Sequence, residues 1–380
     1  MPTKKTTTKK STAKRSNQGL PASPEQYLAL DNQAATEPVP EELREQSQRV
    51  KIYVPNKGDE APKLIQSREI SKAWELELHH GIVPGLPGLN AARLSHQDVT
   101  RQIKSSTDSE PFRPSWVDYT PHPKVTTASR SLLRRRDGRL IHPNYGVFGP
   151  DDRQVYYPSG YPWTCVGRVS VWNDFSKPNP AWSGSGVLIG GRVILTAGHM
   201  APWGSNNWAM QFVPAYYDGA SVLGSGVSSW VSDYNGYQDP VSAWDMLVCR
   251  LYTPLGNSYG YFGAKSYDSG WEGGNYWTLA GYPAAVAGTN RPSRQMWWPI
   301  TDDDSDGSAD ELEYSADQTP GDSGGPVFGF WSGQPYAIGT ASGGENISGG
   351  FLGIGNEDNN VAAGGNAMVD LIRWARSTWT

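Results

Sequence analysis

The sequence predicts an all-β unit of short antiparallel strands in a sandwich or barrel, closed by a single C-terminal helix. Three observations carry this. After Gly146 the texture is uniform, with short apolar runs such as CVGRVSVW, GVLIGGRVILTA and DMLVCRLY separated by Gly, Pro, Asn and Asp. The chain of 380 residues holds 43 Gly and 29 Pro but only 19% charged residues, a balance that suits many turns better than long amphipathic helices. Only NAMVDLIRWARSTW, near the C-terminal end, spaces its apolar residues helically, with Met368, Leu371, Ile372 and Trp374 near one face.

Taken in order, residues 1–40 are rich in Lys, Thr, Ser, Pro and Gln, and their few apolar side chains offer too little burial to offset ordering entropy. A disordered basic tail is expected there. Residues 41–145 change character: EELREQSQRVKIYVP, KLIQSREI and SKAWELELHHG predict a helix start and short strands broken by Pro-Gly turns, as a propeptide or small N-terminal region. Within it, SLLRRRDGR at 131–139 crowds Arg134, Arg135, Arg136 and Arg139 at a compositional border. An exposed loop of this kind is open to proteolytic nicking, or is an ordinary charged linker. Residues 146–380 form the main folded unit.

Charge and hydropathy exclude several classes of function. The formal net charge is −5, with Lys4, Lys5, Lys9, Lys10, Lys14 and Arg15 gathered at one end. That end reads as a solvated tail, and nothing else points to nucleic acid. No run approaches the ~18 apolar residues a membrane helix needs, and the first 30 residues lack a signal-peptide core. The two cysteines, Cys165 and Cys249, make no disulfide framework or metal cluster. Both fall on expected strands, where buried free thiols are favoured over a disulfide bridge.

Residues 321–326 read GDSGGP. Glycines on both sides of Ser323 let the backbone turn sharply, so that the N–H groups of Gly321 and Ser323 can converge on an oxyanion. A serine hydroxyl needs a base, and TAGH at 196–199 offers His199 after the apolar run VIL. The imidazole in turn needs a buried carboxylate to select its tautomer, and Asp245 opens DMLVCRL.

This order of His199, Asp245 and Ser323 with these neighbours resembles the trypsin-like serine peptidases, and the resemblance implies a chymotrypsin-like fold of two six-stranded antiparallel β-barrels. FGPDDRQVYYPSGYPW at 148–163, LAGYP at 279–283 and YSADQTPGDSGGP at 314–326 are similar to segments of the glutamyl endopeptidase (V8-like) branch. The resemblance covers roughly 146–380. It implies a serine endopeptidase acting on polypeptides as a monomer, exported, free of nucleic acid and membrane, and needing no cofactor for catalysis. It also implies a zymogen cleaved near 131–146, whose new amino terminus would pair with Asp322. Where many trypsin-like enzymes carry a disulfide beside the catalytic His, this chain has Met200 and Gly184. A catalytically silent double barrel that binds peptide or glycan is the alternative, and its hallmark, a missing triad residue, is not found.

By the same resemblance, Ser342, Gly343 and Gly344 would pair with substrate backbone like an added strand. Asp317 would floor the specificity pocket and favour Arg or Lys before the cut. Glu-specific members place a His where Ala341 stands, so a Glu side chain would be buried unpaired. Upstream, Asp302, Asp304, Asp306, Ser308, Asp310 and Glu313 match ligand positions of an EF-hand-type calcium loop, with Gly307 at the turn. Their flanks, WWPI and LEYSA, read as strands, so a structural calcium loop and an acidic hairpin tip stand side by side. Trp203, Trp208, Trp297 and Trp298 read as core and cleft packing.

Overall fold

The structure, a computed structural model, describes residues 19–41, 49–55, 67–70, 73–79, 85–126, 147–148, 150–224, 226–237, 242–347 and 357–380. The basic end at 1–18 and the Arg-rich stretch 131–139 lie outside them.

Two sheets make up the main unit. In the first, the strands Val166–Trp172, Trp182–Gly190, Val193–Thr196, Ala209–Pro214, Ser229–Tyr237 and Leu247–Leu251 follow one another around a barrel. The pairing of Ser229–Tyr237 with Leu247–Leu251 closes it. Alternation explains each strand's placement: in Val166–Trp172, Val169 and Val171 point into the core while Arg168, Ser170 and Trp172 are half-buried. Leu188, Ile194, Phe212 and Leu247 are buried on the same face as Val169, and Leu195 and Val248 are buried on the opposite face. The expected all-β fold is therefore present, with a closed six-stranded barrel.

The second sheet has nine strands, among them Trp277–Gly281, Ser293–Trp298, Ala309–Tyr314, Pro326–Trp331, Gln334–Ile347 and Glu357–Gly364. Three further strands, Ile300–Asp306 and the short Gln154–Val155 and Gly263–Ala264, extend it beyond the six expected. Trp277, Leu279, Ile300, Leu312, Tyr314 and Val327 form its core. The predicted C-terminal helix is Gly365–Thr378, and Met368, Leu371, Ile372 and Trp374 are all buried.

Residues 19–40 correct the expectation of disorder. Pro24–Leu28 is a short helix with a reciprocal cap, the Ser23 hydroxyl accepting from Gln26 N and the Gln26 side chain accepting from Ser23 N. The helix inserts Tyr27, 1% exposed, between Phe330 and Trp297 at ring distances of 4.6 and 5.0 Å. One deeply buried aromatic supplies the apolar area that the composition did not suggest.

Residues 85–126 also pack on the main unit. Asn90–Leu94 runs parallel to Ser229–Tyr237, and the helix His96–Gln102 lies beside the C-terminal helix, with His96 Nε2 2.9 Å from Asp370 Oδ2. Further upstream, Arg49–Pro55, Ser67–Ile70 and Ala73–His79 make a three-stranded antiparallel sheet. No helix among the described residues is long and apolar enough to cross a membrane.

Candidate active site

His199 and Asp245 meet because their strands do. Val193–Thr196 and Leu247–Leu251 are antiparallel neighbours with Thr196 opposite Leu247. His199 follows the end of the first strand and Asp245 precedes the start of the second, so both sit at the same barrel end. Asp245 Oδ2 lies 2.7 Å from His199 Nδ1, and its Oδ1 accepts the His199 main-chain N–H at 2.7 Å. The carboxylate side chain is 4% exposed and the imidazole 40%, so the charge is buried while the ring edge reaches solvent. A carboxylate only accepts, which fixes the proton on Nδ1 and leaves Nε2 as a lone-pair acceptor.

The Ser342 hydroxyl donates to Asp245 Oδ2 at 2.5 Å, a role the motif reading missed. Gly343 and Gly344 pair on one side with Val361 and Asn360, whereas pairing with Pro326–Trp331 ends at Thr340. Among the described pairings, Ser342–Gly344 therefore present an edge on which an extended chain can add.

Ser323 lies buried in the loop between Tyr314 and Pro326. Gly321, at φ 105°, would bring a Cβ to 2.3 Å from Tyr282 O, and Gly324, at φ 82°, would bring one to 2.0 Å from Thr196 Oγ1. Only glycine fits either place, and the second contact sets the Ser323 loop against the strand leading to His199. Three successive carbonyls are tied down: Pro320 O accepts from Ala284 N at 2.8 Å, Gly321 O from Ser185 Oγ at 2.6 Å and Asp322 O from Gly325 N at 2.8 Å. In a trans peptide the N–H points opposite its carbonyl, so the N–H groups of Gly321 and Ser323 face away from these tethers.

Asp322 corrects one expectation. Its Oδ2 accepts from Arg153 Nη1 at 2.9 Å and from Thr319 N at 3.0 Å, so an internal guanidinium holds the place assigned to a freed amino terminus. Arg153 also reaches Asp151 Oδ1 and Oδ2 at 3.0 and 2.8 Å. Burial pushes the Asp322 carboxyl up to about 6, against the pull of Arg153.

Asp317 corrects another. Its two oxygens accept the backbone N–H groups of Phe148 and Asp152 at 2.9 and 2.8 Å, so the carboxylate anchors the 148–152 stretch instead of flooring a pocket. Burial raises its pKa despite those bonds. Neighbouring Gln318 is fully buried, its Oε1 accepting from Tyr314 OH at 2.7 Å, and its Nε2 has no partner among the described residues.

The acidic stretch does not fit a calcium loop. Ile300–Asp306 and Ala309–Tyr314 form a hairpin around Gly307 and Ser308 with a bulge between Ile300 and Asp302, placing Asp302 opposite Glu313, Asp304 opposite Glu311 and Ser305 opposite Asp310. Strand alternation puts Asp310 on the other face from Asp302, Asp304 and Asp306, and its carboxylate accepts from Ser305 Oγ at 2.9 Å. Ligation by an EF-hand needs a coil wrapped around the ion, and among the described residues no group of three or more Asp, Glu, His or Cys side chains is arranged to hold a metal. The hairpin-tip reading fits instead.

Cys165 and Cys249 are buried free thiols, both pushed well up by burial. Met200 and Gly184 are adjacent: a Cβ on Gly184 would meet Met200 Cε at 2.7 Å, so the thioether fills the space between them.

No family model matches the chain. A glutamyl endopeptidase of Bacillus licheniformis is 26% identical over 215 residues, covering 55% of this chain and 63% of the relative's length. A solved structure of a Glu endopeptidase in complex with MPD superposes with a TM-score of 0.48 at 19% identity, over 61% of this chain and all of the other. The protease Anisep from Arthrobacter nicotinovorans gives 0.44 at 17%, over 60% of this chain and all of the other. With its closed barrel and second sheet, and with its sequence likeness to a glutamyl endopeptidase, the chain resembles the V8-like branch of the trypsin-like serine peptidases.

Proposed function

We propose that this chain is a serine endopeptidase with Ser323 as nucleophile, His199 as general base and Asp245 as the residue that orients it. The observation that carries the reading is the double hold of Asp245 on His199, at Nδ1 and at the main-chain N–H, both 2.7 Å. His199 Nε2 takes the Ser323 proton as Oγ bonds to the substrate carbonyl carbon. The carbonyl oxygen becomes an oxyanion facing the N–H groups of Gly321 and Ser323. Collapse breaks the C–N bond, His199 returns its proton to the leaving amine, and an acyl-enzyme remains. Water, deprotonated by His199, then releases the acid and restores Ser323.

The same reading extends to specificity and activation. The curated relative is named for glutamyl substrates, but Ala341 supplies no cation here, and Asp317 is spent on two backbone N–H groups. A charged residue before the cut would be buried without a counter-ion. Uncharged residues are preferred there. Since Arg153 already neutralises Asp322, cleavage near 131–146 is not needed for competence. The chain acts on polypeptides, as the name of its relative, a glutamyl endopeptidase, suggests, and we place that activity outside the cell.

Hydrolysis of an unfolded protein substrate tests the assignment. Ser323→Ala and His199→Ala should each lower kcat by at least ~10³-fold, and equal rates for wild type and both variants would contradict it. A peptide set varying only the residue before the cut tests specificity, where a preference for Arg, Lys or Glu would overturn the neutral pocket.

A further inference from the structure

We infer that Ser185 is a positioning residue for the oxyanion-binding peptides, acting through the Ser323 loop without touching substrate. The inference rests on the peptidase reading above. Ser185 belongs to Trp182–Gly190 of the closed barrel, while the loop it holds belongs to the second sheet. Its hydroxyl donates to Gly321 O at 2.6 Å and accepts from Tyr282 N at 2.8 Å. Its own N–H donates to Ser323 O at 2.8 Å. One residue thus holds the carbonyls on both sides of Asp322, and it is itself held by Thr196 Oγ1, which donates to Ser185 O at 2.8 Å.

The hydroxyl matters for a specific reason. Four consecutive carbonyls, from Pro320 to Ser323, set the orientation of the loop. Three of them are tied by backbone N–H groups, of Ala284, Gly325 and Ser185. The tether on Gly321 O is the only one that a side chain supplies. That carbonyl belongs to the peptide between the two N–H groups meant for the oxyanion. The N–H of the same peptide, on Asp322, donates to Thr319 O at 3.0 Å, so Ser185 holds its carbonyl end, and rotation of the peptide would break both bonds, swing the N–H of Asp322 toward the site and displace its neighbours. Gly321, at φ 105° and without a side chain, resists such rotation little by itself. Ser185 is buried and polar on a strand that is otherwise apolar from Gly186 to Gly190. A buried hydroxyl with both a donor and an acceptor partner is well satisfied, whereas an apolar replacement would strand Gly321 O and Tyr282 N.

The test compares wild type with Ser185→Ala and Ser185→Thr, with kcat expressed per Ser323 titrated to completion by a serine-reactive phosphonate, so that unfolded protein does not enter. Ser185→Ala should lower kcat by about 30-fold, somewhat less than removal of a direct oxyanion donor, and leave KM within about twofold. Affinity for a peptidyl boronate, which mimics the tetrahedral intermediate, should fall in parallel with kcat/KM, while affinity for the product peptide should not change. Ser185→Thr, which keeps the hydroxyl, should recover most of the rate. An active wild type with unchanged kcat in Ser185→Ala, or equal losses of boronate and product affinity, would overturn the positioning role alone. A wild type that neither hydrolyses peptides nor takes up the phosphonate would overturn the peptidase reading and this inference with it.

Discussion

At Asp322 a fully buried carboxylate meets the Arg153 guanidinium at 2.9 Å, and the pair ties the first residues of the main unit to the Ser323 loop. Breaking a buried pair from one side leaves a charge uncompensated, so Arg153→Gln should cost about 3–5 kcal/mol of stability, measured by urea unfolding at pH 7. A loss within experimental error would mean that Asp322 has another partner. The pH dependence follows from the raised value. Between an unfolded value near ~4 and about 6, the folded chain holds a proton on Asp322 that the unfolded chain has released. The stability conferred by that proton is present below ~4 and is lost as pH rises to about 6, after which it is flat. Wild-type stability relative to Asp322→Asn should therefore fall from pH 4 to 6. A relative rise would show that the carboxyl titrates below its ordinary value.

Residues differ in how legible they were. His199, Asp245 and Ser323 each sit in a local sequence whose chemistry can be read directly, and the fold brings His199 and Asp245 to hydrogen-bonding distance. Arg153 and Ser185 carry no such local signal, because their partners lie 169 and 136 positions away. Asp317 was misread for the same reason: its spacing from Ser323 is visible in sequence, but the Phe148 and Asp152 N–H groups that claim its oxygens are not.

Among elements, the short helix Pro24–Leu28 is the clearest surprise, although SPEQ at 23–26 spells its cap. Composition pointed the other way because one residue, Tyr27, supplies most of the anchoring. Its ring also lies 4.8 Å from His122. Tyr27→Ala should cost about 3–5 kcal/mol, as for other large buried aromatics, detectable as a lowered Tm. An unchanged Tm would show that the segment does not hold the main unit together. The hairpin Ile300–Tyr314 makes the opposite point: its acidic spacing mimics a calcium loop, but the two extended strands lay the acids out along a flat sheet, with Asp310 on the face opposite Asp302, Asp304 and Asp306, and do not wrap them around an ion. Chelator or added calcium should leave Tm unchanged within about 1 °C, since an ion bound only by the folded state would raise it. A shift of several degrees would contradict the hairpin reading.

For the whole molecule, two sheets meet with His199 and Asp245 on the closed barrel and Ser323 on a loop of the second sheet, with Ser185 bridging them. Strand texture made the sheets predictable, and the C-terminal helix was placed by its apolar spacing. The packing of residues 85–126 across this unit was not predictable, because their contacts, such as Tyr119 OH to Gly333 O at 2.6 Å, are long-range. Together with the Arg153–Asp322 pair, this packing leads us to expect a catalytic loop already ordered in the uncleaved chain. The direct measurement is labelling of the intact 380-residue chain by a serine-reactive phosphonate, followed by intact mass. One equivalent added at Ser323 without loss of residues, and none in Ser323→Ala or His199→Ala, is the expected result. Wild type that takes up no label, or takes it up only after trimming, would contradict it.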